Sequence, residues 1–236
     1  MTKNRILALI PARGGSKAVK KKNIHLLNNK PLIAYSIETA LASGIFDKVL
    51  VTTDNEEIAG IARDYGAYVP FLRPAELAQD DTTDLPVYKH AITWLQENDQ
   101  YVPDIIAWLR PTCPLRTPED IRSAVALLKA SSSDWVRSVC EAEHHPYWMY
   151  SLDNGKLNSF IENIDLKKYY RRQLLPPVFR LNGAVDVTWR ETIMEKNLLY
   201  TGNISGYVMP GERSIDIDTI LDFALAEQYL KQVAGM

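Results

Sequence analysis

Between Arg13 and Lys22 the chain carries five basic side chains, Arg13, Lys17, Lys20, Lys21 and Lys22, and no acidic one. Gly14 and Gly15 sit among them. Glycines let backbone N–H groups come close to phosphate oxygens, and Arg and Lys neutralise the charge, so Arg13-Gly14-Gly15-Ser16-Lys17 suits a small polyanion. The tract lacks the GxxxxGK[ST] spacing of a Walker A loop and the GxGxxG of a dinucleotide fold. Its competing reading is a solvated basic loop that happens to contain glycines. Near the other end, Ser214-Ile215-Asp216-Ile217-Asp218-Thr219 alternates acidic and apolar residues. In extended backbone, residues two apart share a face, so Asp216 and Asp218 present two carboxylates together while Ile215 and Ile217 pack inward. Paired hard oxygen ligands suit Mg2+ and leave room for water and phosphate. Asp before a helix is also a common cap, and Asp218 carries that second reading. A second basic cluster, Lys167, Lys168, Arg171, Arg172 and Arg180, lies far downstream of the first.

These residues need elements to place them. Arg5 to Ile10 reads as a strand that ends at the basic loop, and a helix follows from Pro31 to Ser43 with Ile33, Ile37 and Ala40 at helical spacing. Asp47 to Thr53 reads as a strand, and Asn55 caps a helix that ends near Gly66. Tyr68 to Leu72 reads as a third, short strand. Thr83 to Asn98 is helical, Asp104 to Leu109 a strand, and Thr117-Pro118-Glu119-Asp120 opens another helix with a capping box. This alternation predicts an α/β fold with a Rossmann-like, mostly parallel sheet and helices on both faces. After Trp135 to Val139 the rhythm breaks. Tyr147 to Leu152 and Lys156 to Ile161 flank Asp153-Asn154-Gly155 as a hairpin, and a Tyr/Arg/Pro-rich tract follows. Residues 141–177 therefore read as an insert in a core made of 1–140 and 178–236. That core returns with Phe179 to Val187, a strand near Gly206 to Met209 and a last helix from Thr219.

The chain has 236 residues, 46% hydrophobic and 24% charged, with a formal net charge of −2, as expected of an ordinary globular protein. Its small acidic excess argues against general nucleic-acid binding. Its longest apolar runs are strand-length, so no membrane partner is expected. Two cysteines, Cys113 and Cys140, lie outside any CxxC pattern and fit a reduced, cytoplasmic compartment.

The tracts IPARGGSKAVKKKNI (10–24), LRPAELAQD (72–80), RPTCPLRTPEDI (110–121), EHHP (143–146), RRQLLPPVFRLNGAVDV (171–187) and SIDIDT (214–219) resemble, in this order, those of the CMP-sialic acid synthetases, the acylneuraminate cytidylyltransferases. The resemblance implies an enzyme that couples CTP to an N-acylneuraminate or related nonulosonate, releasing pyrophosphate. It implies a homodimer with 141–177 as the dimerisation arm. Arg13, Gly14, Gly15, Ser16, Lys17, Lys22 and Asn23 match the family's nucleotide loop, and Thr83 lies near its nucleotide-contacting hydroxyl. Asp216 and Asp218 match its magnesium pair. Arg172, Gln173, Arg180 and Asn182 match the stretch lining its sugar site, and Arg110 stands near sugar and cytidine where the family usually has Gln. After His144-His145-Pro146, the aromatic Tyr147-Trp148 replaces a basic residue seen in some members. Both departures fall on the sugar side. A diacetylated nonulosonate such as legionaminate and an eight-carbon ulosonate therefore stand as alternatives, with a non-catalytic nucleotide-binding protein as the alternative from another class. In the reaction expected, Arg13, Lys17 and Lys22 stabilise phosphate charge, and Asp216 is the base if one is used. His144 and His145 read as structural or as an acid/base pair.

Overall fold

A computed structural model describes residues 3–234. Along them run β1 (Ile6–Pro11), β2 (Leu26–Leu27), β3 (Lys30–Pro31), α1 (Leu32–Ser43), β4 (Lys48–Thr52), α2 (Glu56–Asp64), α3 (Asp84–Asn98) and β5 (Ile105–Trp108). Then come α4 (Pro118–Ala130), β6 (Trp135–Glu141), β7 (Tyr150–Asp153), β8 (Lys156–Ser159), β9 (Phe179–Trp189), α5 (Arg190–Met194), β10 (Ile204–Val208) and α6 (Ile220–Ala234).

The main sheet has six strands in the order β10-β6-β9-β5-β1-β4. Only β9 runs against the others in this sheet, antiparallel to both β5 and β6. β1 shows why a continuous apolar run is needed here. Its Ala8 and Ile10 pack in one core with Ile33 and Ile37 of α1, while Leu7 and Leu9 face a second core with Tyr88 and Ile92 of α3. A strand covered on both faces cannot alternate with polar residues. β4 and β5 flank β1 on opposite sides, both parallel to it. The connections diverge at that point and leave a crevice beyond the carboxyl ends of β1 and β5.

Local signals fix the helix starts. The Asn55 side chain accepts from Ile58 N–H at 3.1 Å, and Thr117 and Asp120 form the reciprocal capping box. The third expected strand is absent: Tyr68 makes one bridge to Leu50, and no strand forms over 68–72. Pro70 has no N–H to continue a ladder.

Two irregularities shape the functional edge. The β6–β9 register shifts between Arg137 and Val139. Opposite that shift Gly183 has φ +68°, and Ser138 Oγ donates to Asn182 Oδ1 at 2.5 Å while accepting from Val185 N–H at 2.8 Å. The bulge turns the Gly183 carbonyl toward Arg110 Nη1, 3.5 Å away. The second irregularity is the excursion between β6 and β9. There β7 and β8 pair around Asn154-Gly155, both with positive φ, as a two-residue hairpin turn requires. Every residue of the two strands is exposed.

Candidate active site

The loop after β1 and the loop after β5 wall a cleft of about 470 Å³, lined by the cations Arg13, Lys17, Lys22, Arg73 and Arg110 and by the acids Asp80 and Asp84. Such an excess of cations, on low-dielectric walls, concentrates an anion. The loop holds its shape through the backbone. Gly14 N–H donates to Asp54 Oδ1 at 2.8 Å, and Asn23, itself buried, donates Nδ2–H to the Arg13 carbonyl at 2.9 Å. A Cβ at Gly14 would come within 3.1 Å of Asn55 Cβ and crowd the cap of α2, whereas Gly15 is open. Arg13 pairs with Asp80 at 2.8 Å, and Lys17 holds the same carboxylate. Lys17 first, then Arg13, pulls the Asp80 carboxyl below the usual carboxylate range. Lys21 points elsewhere, to Glu57 at 2.6 Å.

Lys22 links the two ends of the chain. Its largely covered Nζ donates to the Ile217 carbonyl and to Asp218 Oδ1, both at 2.9 Å. Ile217 is buried and Ile215 packs beside it, while Asp216 and Asp218 are exposed. The helix-cap role falls to other residues: Thr219 N–H donates to Asp222 Oδ2 at 2.7 Å, and Asp222 N–H donates back to Thr219 Oγ1 at 3.4 Å. Asp218 is thus not needed as a cap. Ile217 N–H donates to the Thr112 carbonyl at 2.8 Å, and Cys113 Sγ lies 3.7 Å from Asp216 Oδ1. The loop after β5 therefore carries the acidic segment. Two exposed hard-oxygen carboxylates are of the donor type that would suit a magnesium ion. No group of three potential metal-ligating side chains occurs among the described residues.

Arg110 sits in a polar network. Nη1 donates to Asp186 Oδ2 at 2.6 Å, and Nη2 donates to Asp84 Oδ2 at 2.9 Å and to Tyr200 Oη at 2.8 Å. Burial works against the charge of Arg110, and Asp186, Tyr200 and Asp84 more than offset it, raising the guanidinium pKa. Arg73 is also buried and donates to Thr52 Oγ1 at 3.2 Å and to the Thr52 carbonyl at 2.5 Å. Burial lowers its pKa to about 10.

The cleft brings together Arg13, Ser16, Lys17, Lys22, Asn23 and Arg110. It does not include Thr83, whose neighbours Thr82 and Asp84 line it instead. Arg172 and Gln173 lie with His145 and Trp148 along a separate cleft of about 280 Å³ at the base of the arm. Arg180 makes two 2.8 Å bonds to Glu143, holding that carboxyl down to about 2. Asn182 is engaged within the fold. It is buried, with Nδ2 donating to Ser214 Oγ at 2.8 Å and Oδ1 accepting from Ser138 and from Ala184 N–H. Its amide ties β9 to the acidic segment and has no face left for a sugar. His145 accepts from Tyr147 N–H at 3.2 Å and sits 3.1 Å from the Pro176 carbonyl, a structural place at the arm's base. Sequence reading missed Arg73, Asp80 and Asp84 as cleft residues. Their tract, 72–80 with Asp84 just beyond, was the available signal.

A doubly covered α/β sheet with a cationic crevice at its switch point suits an enzyme that handles a nucleotide. The family model described as cytidylyltransferase matches residues 7–202, and the chain belongs to that family. It is 37% identical over 229 residues to the CMP-N,N'-diacetyllegionaminic acid synthase of Legionella pneumophila, covering 96% of this chain and 97% of that one. It is 36% identical to the N-acylneuraminate cytidylyltransferase of Escherichia coli over 95% of this chain, and spans 52% of that longer protein. The solved CMP:2-keto-3-deoxy-manno-octonic acid synthetase complexed with CTP shares the fold, with a TM-score of 0.71 over 97% of this chain and 99% of that one at 14% identity. The protein is therefore a nucleotidyl-transferring enzyme of α/β Rossmann-like fold. No helix among the described residues is long and apolar enough to cross a membrane.

Proposed function

We propose that the enzyme transfers the cytidylyl group of CTP to the anomeric hydroxyl of an acidic nonulosonate, giving the CMP-sugar and pyrophosphate. One observation carries this reading: Lys22, the last cation of the phosphate loop, donates to the backbone and side chain of the carboxylate segment at 2.9 Å. Phosphate binder and carboxylate pair are thereby fixed to one point. Arg13 and Lys17 orient the β- and γ-phosphates, and Lys22 stands where charge grows as the anomeric oxygen attacks the α-phosphorus. Mg2+, held by Asp216 and Asp218, would supply Lewis-acid polarisation of the phosphoryl oxygens and of the sugar hydroxyl. Where a side-chain base acts in this reaction, Asp216 takes the hydroxyl proton. The arm of 141–177, with Arg172 and Gln173 at its base, serves a dimer in which a partner copy completes the sugar site. Both cysteines are free and buried, in keeping with a reducing cytoplasm. The test is pyrophosphate release with CTP and a panel of acid sugars: N-acetylneuraminate, N,N'-diacetyllegionaminate and an eight-carbon ulosonate. Turnover of at least one nonulosonate is expected. Nucleotide binding without turnover of any would return the chain to a nucleotide-binding role.

A further inference from the structure

Arg110 is of the residue type that grips a sugar carboxylate, yet its charge is already answered. Asp186 takes Nη1 at 2.6 Å, Asp84 takes Nη2 at 2.9 Å, and a second guanidinium, Arg137, donates to Asp186 Oδ1 at 2.9 Å. Arg137 also stacks 3.9 Å from the centre of the Tyr200 ring. Two guanidiniums against two carboxylates leave the network with no net charge. An incoming anion would have to displace one of those carboxylates from its partner, with little gain.

Asp84 is different. Its side chain is 32% exposed and lines the cleft. Oδ2 accepts from Arg110 and, at 2.6 Å, from Tyr200 Oη, while no described residue donates to Oδ1. Arg110 and Asp216 are neighbours across Gly183: a Cβ there would lie 3.6 Å from Asp216 Oδ2 and 3.8 Å from Arg110 Cδ. Arg110, which holds Asp84, thus stands beside Asp216, one of the carboxylates proposed to meet the nucleophile. We infer that Asp84 Oδ1 accepts a hydrogen bond from an O–H or N–H of the bound acid sugar, and that Arg110 is a positioning residue that aims Asp84 without touching the sugar. The inference rests on the acid-sugar reading above. Acid sugars are rich in hydroxyl and amide donors. A fixed carboxylate oxygen rewards a donor at that point and penalises an analogue that lacks it.

The experiment compares wild type, Asp84→Asn, Arg110→Gln and Arg110→Lys by steady-state kinetics with each substrate varied, alongside thermal midpoints. Asp84→Asn is expected to raise KM for the sugar about 30-fold, about 2 kcal/mol at 1.4 kcal/mol per decade, with KM for CTP moved less than about twofold. Its midpoint should stay near that of wild type. Arg110→Gln should act in the same direction, and Arg110→Lys should recover part of the loss because an ammonium can still hold Asp84. These variants read the same KM should the Asn variant prove unstable. A rise in KM for CTP alone would assign Asp84 to the nucleotide and overturn the inference. A fall in KM for the sugar in Asp84→Asn would overturn it too, by showing that a released Arg110 binds the sugar. Unchanged constants in Asp84→Asn, with wild type active, overturn the Asp84 assignment alone. Wild type inactive on every acid sugar overturns the substrate reading and this inference with it.

Discussion

The cleft beyond β1 and β5 has its lining cations other than Arg73 paired with acids of the same chain, whereas the arm between β6 and β9 leaves its apolar side chains open. In the cleft, Asp80 holds Arg13 and Lys17, Asp218 holds Lys22, and Asp84 with Asp186 holds Arg110. In the arm, Leu152, Leu157 and Phe160 are 70%, 62% and 67% exposed. A region that binds a charged ligand must be preorganised before the ligand comes, and internal ion pairs provide that. A region that leaves large apolar groups in water is complete only against another surface. On the proposed reading, the contrast separates what one chain would do alone from what it would need a second copy to do.

The sharpest way to break the self-sufficiency of the cleft is to remove its carboxylates. Asp216→Asn should lower turnover by about 10²-fold or more, with the thermal midpoint intact because the side chain is exposed. Chelation with EDTA should abolish pyrophosphate release, and added Mg2+ should restore it. Asp218→Asn should also lower turnover without loosening α6, since Thr219 and Asp222 cap that helix. Turnover near wild type in both variants would leave the pair without a metal role.

Next in size come the loop cations. Arg13→Ala and Lys22→Ala should lower kcat by about 10²-fold, since they act on charge that grows in the transition state. Lys21→Ala should change it less than about twofold, as loss of an exposed ion pair outside the cleft does little. Equal losses across the three would reduce the loop to general attraction.

The arm side of the comparison is read by mass and by stability. Light scattering should show a dimer, and Leu157→Asp with Phe160→Asp should give monomers that keep CTP binding but turn over sugar poorly. A fully active monomer would defeat the shared site. Asn182→Ala, at the seam between the two regions, should cost about 2 kcal/mol in urea unfolding by stranding buried Ser138 and Ser214 partners. The KM for sugar should barely move. Smallest is Glu143→Gln, worth less than about 1 kcal/mol because the pair with Arg180 is largely exposed. The Glu143 carboxyl is held down to about 2, so the pair contributes fully above its ordinary 4.5 and is lost as pH falls toward 2. Between pH 5 and 9 it should leave no mark on the stability profile.

The sheet and helix starts were legible because their signals are local: a doubly buried β1, Asn55 as cap, Thr117 with Asp120. The basic loop and the Asp216–Asp218 alternation were legible for the same reason. What the sequence could not show lies in pairings across long separations. Arg110 meets Asp84, Asp186 and Tyr200 from 26, 76 and 90 residues away. No periodicity announces that its charge is neutralised in place. Asn182 lies in a tract that resembles a sugar-lining stretch, and only the partners brought to it across the β6–β9 bulge, Ser138 and Ser214, show its amide engaged inside the fold. Thr83 missed the cleft by one position, the difference between a cap residue and the first turn of α3.

Asp80 gives the phosphate loop a threshold. Because one carboxylate holds both Arg13 and Lys17, an anion must first outcompete it. A lone phosphate that breaks those two contacts to make two of its own gains almost nothing. A chain of three phosphates that also engaged Lys22 would have Asp218 to displace as well, and would gain by making all its contacts from one molecule. If the loop holds the triphosphate as proposed, entry would be graded by valence and length, and small anions would compete poorly for it.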